Sequence, residues 1–356
     1  MRIECPKCLG VSSISGDFIV THKRALEHSC SKCKADIYIQ VSLPAVSEKD
    51  LNDRPSADDR QTRLISPVAE TEEGSKILSM KSKILRSLVE LPPMPNIILK
   101  ARQIMDDPGS SLKDLSSVIE HDQAIVARVL ALANSAYYGL SGLVSSIQHA
   151  SILLGQKTLG ELITIAASSR LLSKKLKGYR LNPGDLWKHS LAVALGSKII
   201  AEKRDSLLVE DAFIAGLLHD AGKIILDPYL IEHHHVFKKH LNGGGRKIFE
   251  AEKKILGFDH AEVMSRAARF WRYPKNQTTA IRYHHYPMLA GDCELTFIVH
   301  LADFVAHEAG FNSGRASILS EVDPQALTRL GFQRAELSGI IAQVTASVEQ
   351  LATELQ

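Results

Sequence analysis

Among the fifteen histidines of the 356-residue chain, five fall into a pattern with two aspartates that suits metal chemistry. They are His189, the pair His219-Asp220, His260, the pair His284-His285, and Asp303. Imidazole nitrogens and carboxylate oxygens together bind Zn, Mn or Fe, and with enough oxygens Mg. His219 and Asp220 close an apolar helical run, Ala215-Gly216-Leu217-Leu218. Neighbours on a helix point about 100° apart, yet both can reach an ion lying near the helix end. Gly222 reads as a C-terminal cap, and Lys223 places a positive charge where an anion could sit. Taken alone, the dipeptide reads better as a surface Asp beside a half-buried His at a helix end. The five other positions, each in or after a helical pattern, turn it into a candidate site.

The elements that must position these residues are helices. Pro183 opens the one that carries Trp187 and His189, and Asp211 opens the one that ends at His219-Asp220. Asp259-His260-Ala261-Glu262 reads as an N-cap with its box partner, which puts His260 in a first helical turn. Pro274 opens a helix that ends at His284-His285 before Pro287. Asp303 lies within a helix from Leu295 to Ala309. His300 and His307 sit three residues before and four after it on a neighbouring face; they either support the ligands from behind or, as is more usual for such residues, are exposed or packed in the core. The triplet His233-His234-His235 reads as a polar helix surface, because adjacent side chains on a helix diverge. Gly243-Gly244-Gly245 lacks the order of a nucleotide-binding loop and reads as a turn.

The remaining chemistry is near the N-terminus. Four of the five cysteines form two Cys-x-x-Cys pairs, Cys5/Cys8 and Cys30/Cys33, while Cys293 stands apart. Four thiolates on two knuckles match the tetrahedron of a structural Zn. Redox pairs or inert thiols are the alternative. β-prone pieces, Asp17-Phe18-Ile19-Val20 and Asp36 to Val41, accompany the knuckles. So small a segment would need the metal for its stability. The pattern resembles a zinc ribbon, although Lys34-Ala35 stands where a second-knuckle Gly is usual.

Residues 43–76 are polar, punctuated by Pro and without period, and read as a flexible linker. From Ile77 a helical period sets in. It is broken at Leu91-Pro92-Pro93-Met94-Pro95 and after Asp106-Asp107-Pro108-Gly109, and it resumes with Ser111 and Asp122 as starts. Asn134, at the end of an Ala- and Leu-rich tract, is expected to satisfy backbone groups. A last helix carries the apolar stripe Leu337, Ile340, Ile341, Val344, Val348 and Leu351. It should dock on the main domain or pair with a second copy.

Composition sets the outer bounds. Apolar content of 45% allows a sizeable core, and a formal charge of +3 gives no case for a polyanion-binding surface. Lys7, Lys23, Arg24, Lys32 and Lys34 cluster near the cysteines with Phe18 and Tyr38 as their aromatics, so nucleic acid is not an expected partner. No run of eighteen apolar residues occurs and no apolar leader opens the chain. The expectation is a cytoplasmic protein that does not engage a membrane.

The order H…HD…H…HH…D resembles the HD superfamily of metal-dependent phosphohydrolases. Three further stretches resemble HDOD domains, the HD-related output domains of bacterial signalling proteins. They are Leu91-Pro92-Pro93-Met94-Pro95, the tract Leu130 to Gly139, and Ser146-Ile147-x-x-Ala150-x-x-x-Leu154-Gly155. The resemblance implies a mainly α protein, with an all-helical HDOD domain over 77–310 (an N-terminal helical part, 77–175, and an HD-like part, 176–310). A zinc ribbon over 1–42 and the linker precede it, and a helical extension over 311–356 follows.

It also implies roles. His189, His219, Asp220 and Asp303 would hold a first divalent metal (Fe, Mn, Mg or Zn). His260 with His284 or His285 would hold a second or contact phosphate, and Lys223 would neutralise transition-state charge beside Asp220. Metal in such a site lowers the pKa of bound water and polarises phosphoryl oxygens. The related HD-GYP branch carries Asp-Gly-x-Gly-Tyr-Pro after its His pair, whereas here Tyr286-Pro287-Met288-Leu289-Ala290-Gly291-Asp292 follows. Two functions therefore stand: a regulatory module that binds metal or a nucleotide and relays a signal to a partner protein, and a metal-dependent phosphohydrolase acting on a nucleotide or cyclic dinucleotide. A homo-oligomer through the last helix is compatible with either.

Overall fold

A computed structural model of the chain describes residues 2–4, 11–13, 25–29, 36–40, 72–90, 96–107, 109–241, 247–313 and 322–355. It divides into two units, Met1–Ala69 and Glu70–Gln356. In the first unit, β1 (Arg2–Glu4) pairs antiparallel with β2 (Val11–Ser13), and β3 (Ala25–Ser29) with β4 (Asp36–Gln40). The second expected strand is therefore β4. The Asp17-to-Val20 piece and all four knuckle cysteines lie outside the described residues.

The second unit is helical. Its first helix, α1 (Glu72–Glu90), begins five residues before the expected onset at Ile77, within the stretch read as linker. Ile84 and Leu88 bury its inner face, against α8 (Gly222–Glu232) and α10 (Ile248–Leu256). The Pro-rich stretch 91–95 falls outside the described residues. Next come α2 (Asn96–Asp106), α3 (Leu112–Ser117) and α4 (Gln123–Ala133), all packed on the long α5 (Ile147–Leu172). Their starts are where the cap chemistry puts them. Ser111 and Asp114 form a reciprocal capping box, and Asp122 and Ser146 each accept a backbone N–H from the first turn. Asn134 clasps the loop that follows α4: its amide exchanges hydrogen bonds with the Val144 backbone, at 2.8 and 2.9 Å. Gly155, at φ +78° inside α5, breaks the helix into two segments, a conformation that L side chains rarely adopt.

The HD-like half is built around α6 (Asp185–Arg204), which is buried on nearly every side. It packs against α7 (Val209–Leu218), α13 (Glu294–Glu308) and α15 (Leu337–Thr353). Helix α9 (His234–Leu241) precedes α10. Helix α11 (His260–Phe270) starts at the Asp259 cap, whose carboxylate accepts the Glu262 N–H. The Glu262 side chain does not complete the expected box. It is drawn instead into ion pairs with Lys253, Arg266 and Arg282. Helices α12 (Lys275–Tyr283) and α14 (Pro324–Leu330) complete the set. The apolar stripe of α15 is used within the chain: Leu337, Ile340, Val344, Val348 and Leu351 are buried, with α6 and α13 beneath them. Among the described residues, no helix is long and apolar enough to cross a membrane.

Candidate metal centre

Five helical elements bring seven of the expected side chains together. Helix α6 supplies His189. The tight turn between α7 and α8 supplies His219 and Asp220, α11 supplies His260 at its first position, the end of α12 supplies His284 and His285, and α13 supplies Asp303. The turn is possible because α8 runs hard against α11. A Cβ on Gly222 would meet the His260 carbonyl oxygen at 2.1 Å. Gly222 is thus not the cap of α7 but the first residue of α8, small because another backbone lies there.

The side chains fall into two groups that share Asp220. In the first, His189 Nε2 lies 3.2 Å from His219 Nε2, 3.3 Å from Asp220 Oδ2 and 3.3 Å from Asp303 Oδ1. His219 Nε2 lies 3.6 Å from Asp220 Oδ2 and 3.8 Å from Asp303 Oδ1. In the second, Asp220 Oδ1 lies 2.9 Å from His260 Nε2, which lies 2.9 Å from His285 Nε2, with His284 alongside. Metal–ligand bonds of about 2.0–2.2 Å put adjacent donors about 2.9–3.5 Å apart. Most of these separations are therefore edges of the size that a coordination polyhedron has.

The rings are oriented by their other nitrogens. His189 Nδ1 donates to the Phe311 carbonyl (2.8 Å), His219 Nδ1 to Gly216 (2.7 Å) and His284 Nδ1 to Ile281 (2.8 Å). His260 Nδ1 donates to the Glu252 carboxylate at 2.7 Å. With each Nδ1 committed as a donor, the lone pair of a neutral ring sits on Nε2 and faces the group. The fit of a cation can be read from atoms that the protein leaves over. Asp220 Oδ1, Asp303 Oδ1 and His284 Nε2 are buried, and none has a hydrogen bond of good geometry among the described residues. Buried polar atoms rarely stay that way. A set of imidazoles and carboxylates without thiolates has the makeup of a divalent metal site.

Electrostatics agree with the geometry. Burial works against ionisation of Asp220 and Asp303, but the surrounding cations win. Lys223 with His219 and His260 holds Asp220 well below the usual carboxylate range, and His307 with His189 does the same for Asp303. Burial also disfavours the charged form of His189 and His260, yet the flanking carboxylates raise both to about 9. His219, where burial prevails, drops to about 4, and burial holds His284 and His285 well below the ordinary imidazole value.

Lys223 is placed differently from the substrate-facing cation expected. It is 1% exposed, its Nζ 2.6 Å from Asp220 Oδ2 and 2.8 Å from Ser313 Oγ. The residues around it leave no open approach on that side, so its charge serves Asp220. One participant was given too little weight in the sequence reading and another escaped it. His307, one turn beyond Asp303, approaches Asp303 Oδ1 at 3.5 Å and forms a third potential ligand group with His189. Its i+4 spacing was the available signal. Glu252 gave none: it is one of two acidic residues in an ordinary amphipathic helix. His300 packs in the core, donating to the His284 carbonyl, and His233 bonds its own helix.

The HDOD domain model matches residues 91–287, more than half of the chain. The chain belongs to the HDOD family. Asp303 and His307 of this HDOD protein lie past the matched stretch. Among solved structures, an HDOD domain protein with unknown function from Geobacter sulfurreducens aligns with a TM-score of 0.64 at 26% identity, over 78% of this chain and 98% of that one. A protein from Shewanella amazonensis SB2B, provisionally named a phosphohydrolase, aligns with a TM-score of 0.61 at 26% identity, over 77% and 98%. A protein from Marinobacter aquaeolei VT8, provisionally named a signal transduction protein, shares the fold at 22% identity and a TM-score of 0.61, over 79% and 64%. An uncharacterised protein of Treponema pallidum (strain Nichols) is 24% identical over 227 residues, 63% of this chain and 43% of that protein. The chain thus spans less than half the length of this curated relative.

Proposed function

We propose that this HDOD protein is a bacterial signalling-output module whose His/Asp centre holds divalent metal, and that the helix arrangement so fixed is what a partner protein reads. The observation that carries it is the common orientation of His189, His219, His260 and His284, each with Nδ1 bound, the Nε2 atoms of the first three lying 2.9–3.6 Å from a buried carboxylate and that of His284 buried without a partner among the described residues. His189, His219, Asp220 and Asp303 would hold a first ion; Asp220, His260, His284 and His285 a second. Bound metal supplies the positive charge that two buried aspartates call for and a joint anchor for the helices around it. The imidazole-rich set favours Fe, Mn or Zn over Mg. The first group is closed off: His189 and His219 are 0% exposed and Asp220 and Asp303 2%. That suits a regulatory metal better than turnover.

A second reading, hydrolysis of a nucleotide or cyclic dinucleotide, rests on a separate observation. A cleft of about 640 Å³ opens at His285, lined also by Lys247, Tyr286, Met288, His300 and Asp323. In the first unit, Cys5, Cys8, Cys30 and Cys33 are proposed to hold one Zn, because two Cys-x-x-Cys pairs supply a complete tetrahedral set. The deciding experiment is metal analysis of the purified full chain with a hydrolysis screen of nucleotides under Mn, Fe and Mg. Retained metal without turnover is expected. Turnover that Asp220→Asn abolishes would favour the second reading, and a main unit that takes up no metal would sink both.

A further inference from the structure

Glu252 is 0% exposed, on the inner face of α10. Among the described residues its ion-pair partner is a histidine, His260, and not a lysine or arginine. Its two oxygens are fully engaged. Oε2 accepts the His260 backbone N–H at 2.7 Å and the His260 Nδ1–H at 2.7 Å, and Oε1 lies 3.0 Å from the same Nδ1. Oε1 also accepts the Tyr179 hydroxyl at 2.8 Å. Tyr179 is itself buried, in the segment between α5 and α6, where the neighbouring Gly178 N–H is tied to Asp227 Oδ1 at 2.7 Å.

A buried carboxylate held on three donors is costly to place and has to be compensated by what it does for them. Here it acts twice on one residue. It fixes the first backbone N–H of α11, and hence where His260 starts. It also fixes the ring rotation and the tautomer, so that Nε2 points at Asp220 Oδ1 and His285 Nε2. A carboxylate on the far nitrogen of an imidazole also makes the near nitrogen a stronger ligand.

We infer that Glu252, seated by Tyr179, is a positioning residue that selects and strengthens His260 as ligand to the second metal ion of the centre. The inference rests on the metal-binding reading above. Glu252 touches no member of the first group, so its effect is confined to the second ion. Tyr179 acts one step further out: it holds Oε1, and its hydroxyl stays protonated as a donor because burial and the Glu252 charge both push its pKa up.

The test is Mn(II) titration of the metal-free full chain, followed by calorimetry and by EPR, where two adjacent ions give an exchange-coupled signal. Manganese is chosen because thiolate sites disfavour it. Wild type should bind two ions and show the coupled signal. Glu252→Gln keeps the size and, with its amide nitrogen turned to the Tyr179 oxygen, all three hydrogen bonds, so the fold is retained and the charge alone is lost. Its second ion should bind about 10–100-fold more weakly, the first unchanged, and the coupled signal should vanish at limiting metal. Tyr179→Phe should give a smaller loss in the same direction. Glu252→Leu removes the acceptor altogether, and nitrogen-15 NMR should then find His260 no longer held as the Nδ1–H form. If that variant fails to fold, Glu252→Gln decides alone. Wild-type affinity for both ions in Glu252→Gln overturns the role of Glu252. A wild-type chain that binds no second ion overturns the two-ion centre itself, which is a different result and read on a different protein.

Discussion

The contact between α8 and α11 yields a prediction whose size can be worked out. Gly222→Ala places a methyl group 2.1 Å from the His260 carbonyl oxygen, 2.9 Å from its carbonyl carbon and 3.1 Å from its Cα. Ordinary contact begins near 3.4 Å, so the helices must separate by about 1.3 Å or distort by as much. The obstructing atoms are backbone and cannot rotate aside. Overpacking of this kind costs about 1–3 kcal/mol, offset by up to about 1 kcal/mol from the better helix propensity of Ala. A net loss of about 1–2 kcal/mol, a few degrees in Tm for a unit of this size, is expected in thermal unfolding. The same shift pulls His260 from Asp220, to which its Nε2 lies at 2.9 Å, so metal uptake at the second group should weaken too. Gly339→Ala in α15 is the matched control. Nothing lies within 4 Å of its would-be methyl, and it should stabilise by about 0.5–1 kcal/mol. If both variants shift Tm upward alike, the close packing of α8 on α11 is wrong.

Other expectations can be checked in parallel. Asp220→Asn removes the carboxylate that both groups share and should abolish metal retention at both, with circular dichroism showing helicity close to wild type. In chelator-treated protein, His189 and His260 carry folded-state values near 9, above the ordinary 6.5. Their contribution to stability is therefore complete below about pH 6.5 and is lost as pH rises through 9. His219 acts oppositely, its value near 4 costing stability as pH falls from 6.5 towards 4, so the metal-free Tm should peak between these limits; a flat profile from pH 6.5 to 9 would count against the carboxylate-bound imidazoles. Asn134→Ala leaves the Val144 N–H and C=O without their side-chain partner and should cost about 1–3 kcal/mol by denaturant unfolding. Cys30→Ser should release one Zn, measured by mass spectrometry, while the thermal transition of the helical unit stays in place.

What could be read from the sequence was order and kind; what could not was depth and backbone proximity. Helical period and cap residues announced most helices, and Ser111, Asp122 and Asp259 act where their side-chain oxygens predict. The onset of α1 was missed because Glu72-Glu73-Gly74-Ser75 has the polarity of a linker, and helix there is decided by the apolar residues further on. The His/Asp cluster was legible because these residues recur in a known order on separate helices. Lys223 was misjudged because a lysine after a helix end looks solvent-facing in one dimension, while in three it is walled in by Asp220 and Ser313. Gly222 was misjudged for a similar reason, since the residue that requires it, His260, is nearly forty positions away. Glu252 could not have been singled out at all, because its partners come from a loop some seventy residues upstream and a helix start eight residues downstream.

One helix that carries none of the candidate ligands packs on two helices that do. Helix α15 lies across α6 and α13, which carry His189 and Asp303. Those two side chains are opposite jaws of the first group, 3.3 Å apart, and α15 braces the two helices that carry them. In the proposed metal-bound form, the hold on the ion would in this sense be tuned from α15. If the centre holds metal as proposed, a substitution at Val344 or Val348, both buried on α15 and neither a candidate ligand, should alter the bite, and anything that binds or loosens the last helix would act on the ion.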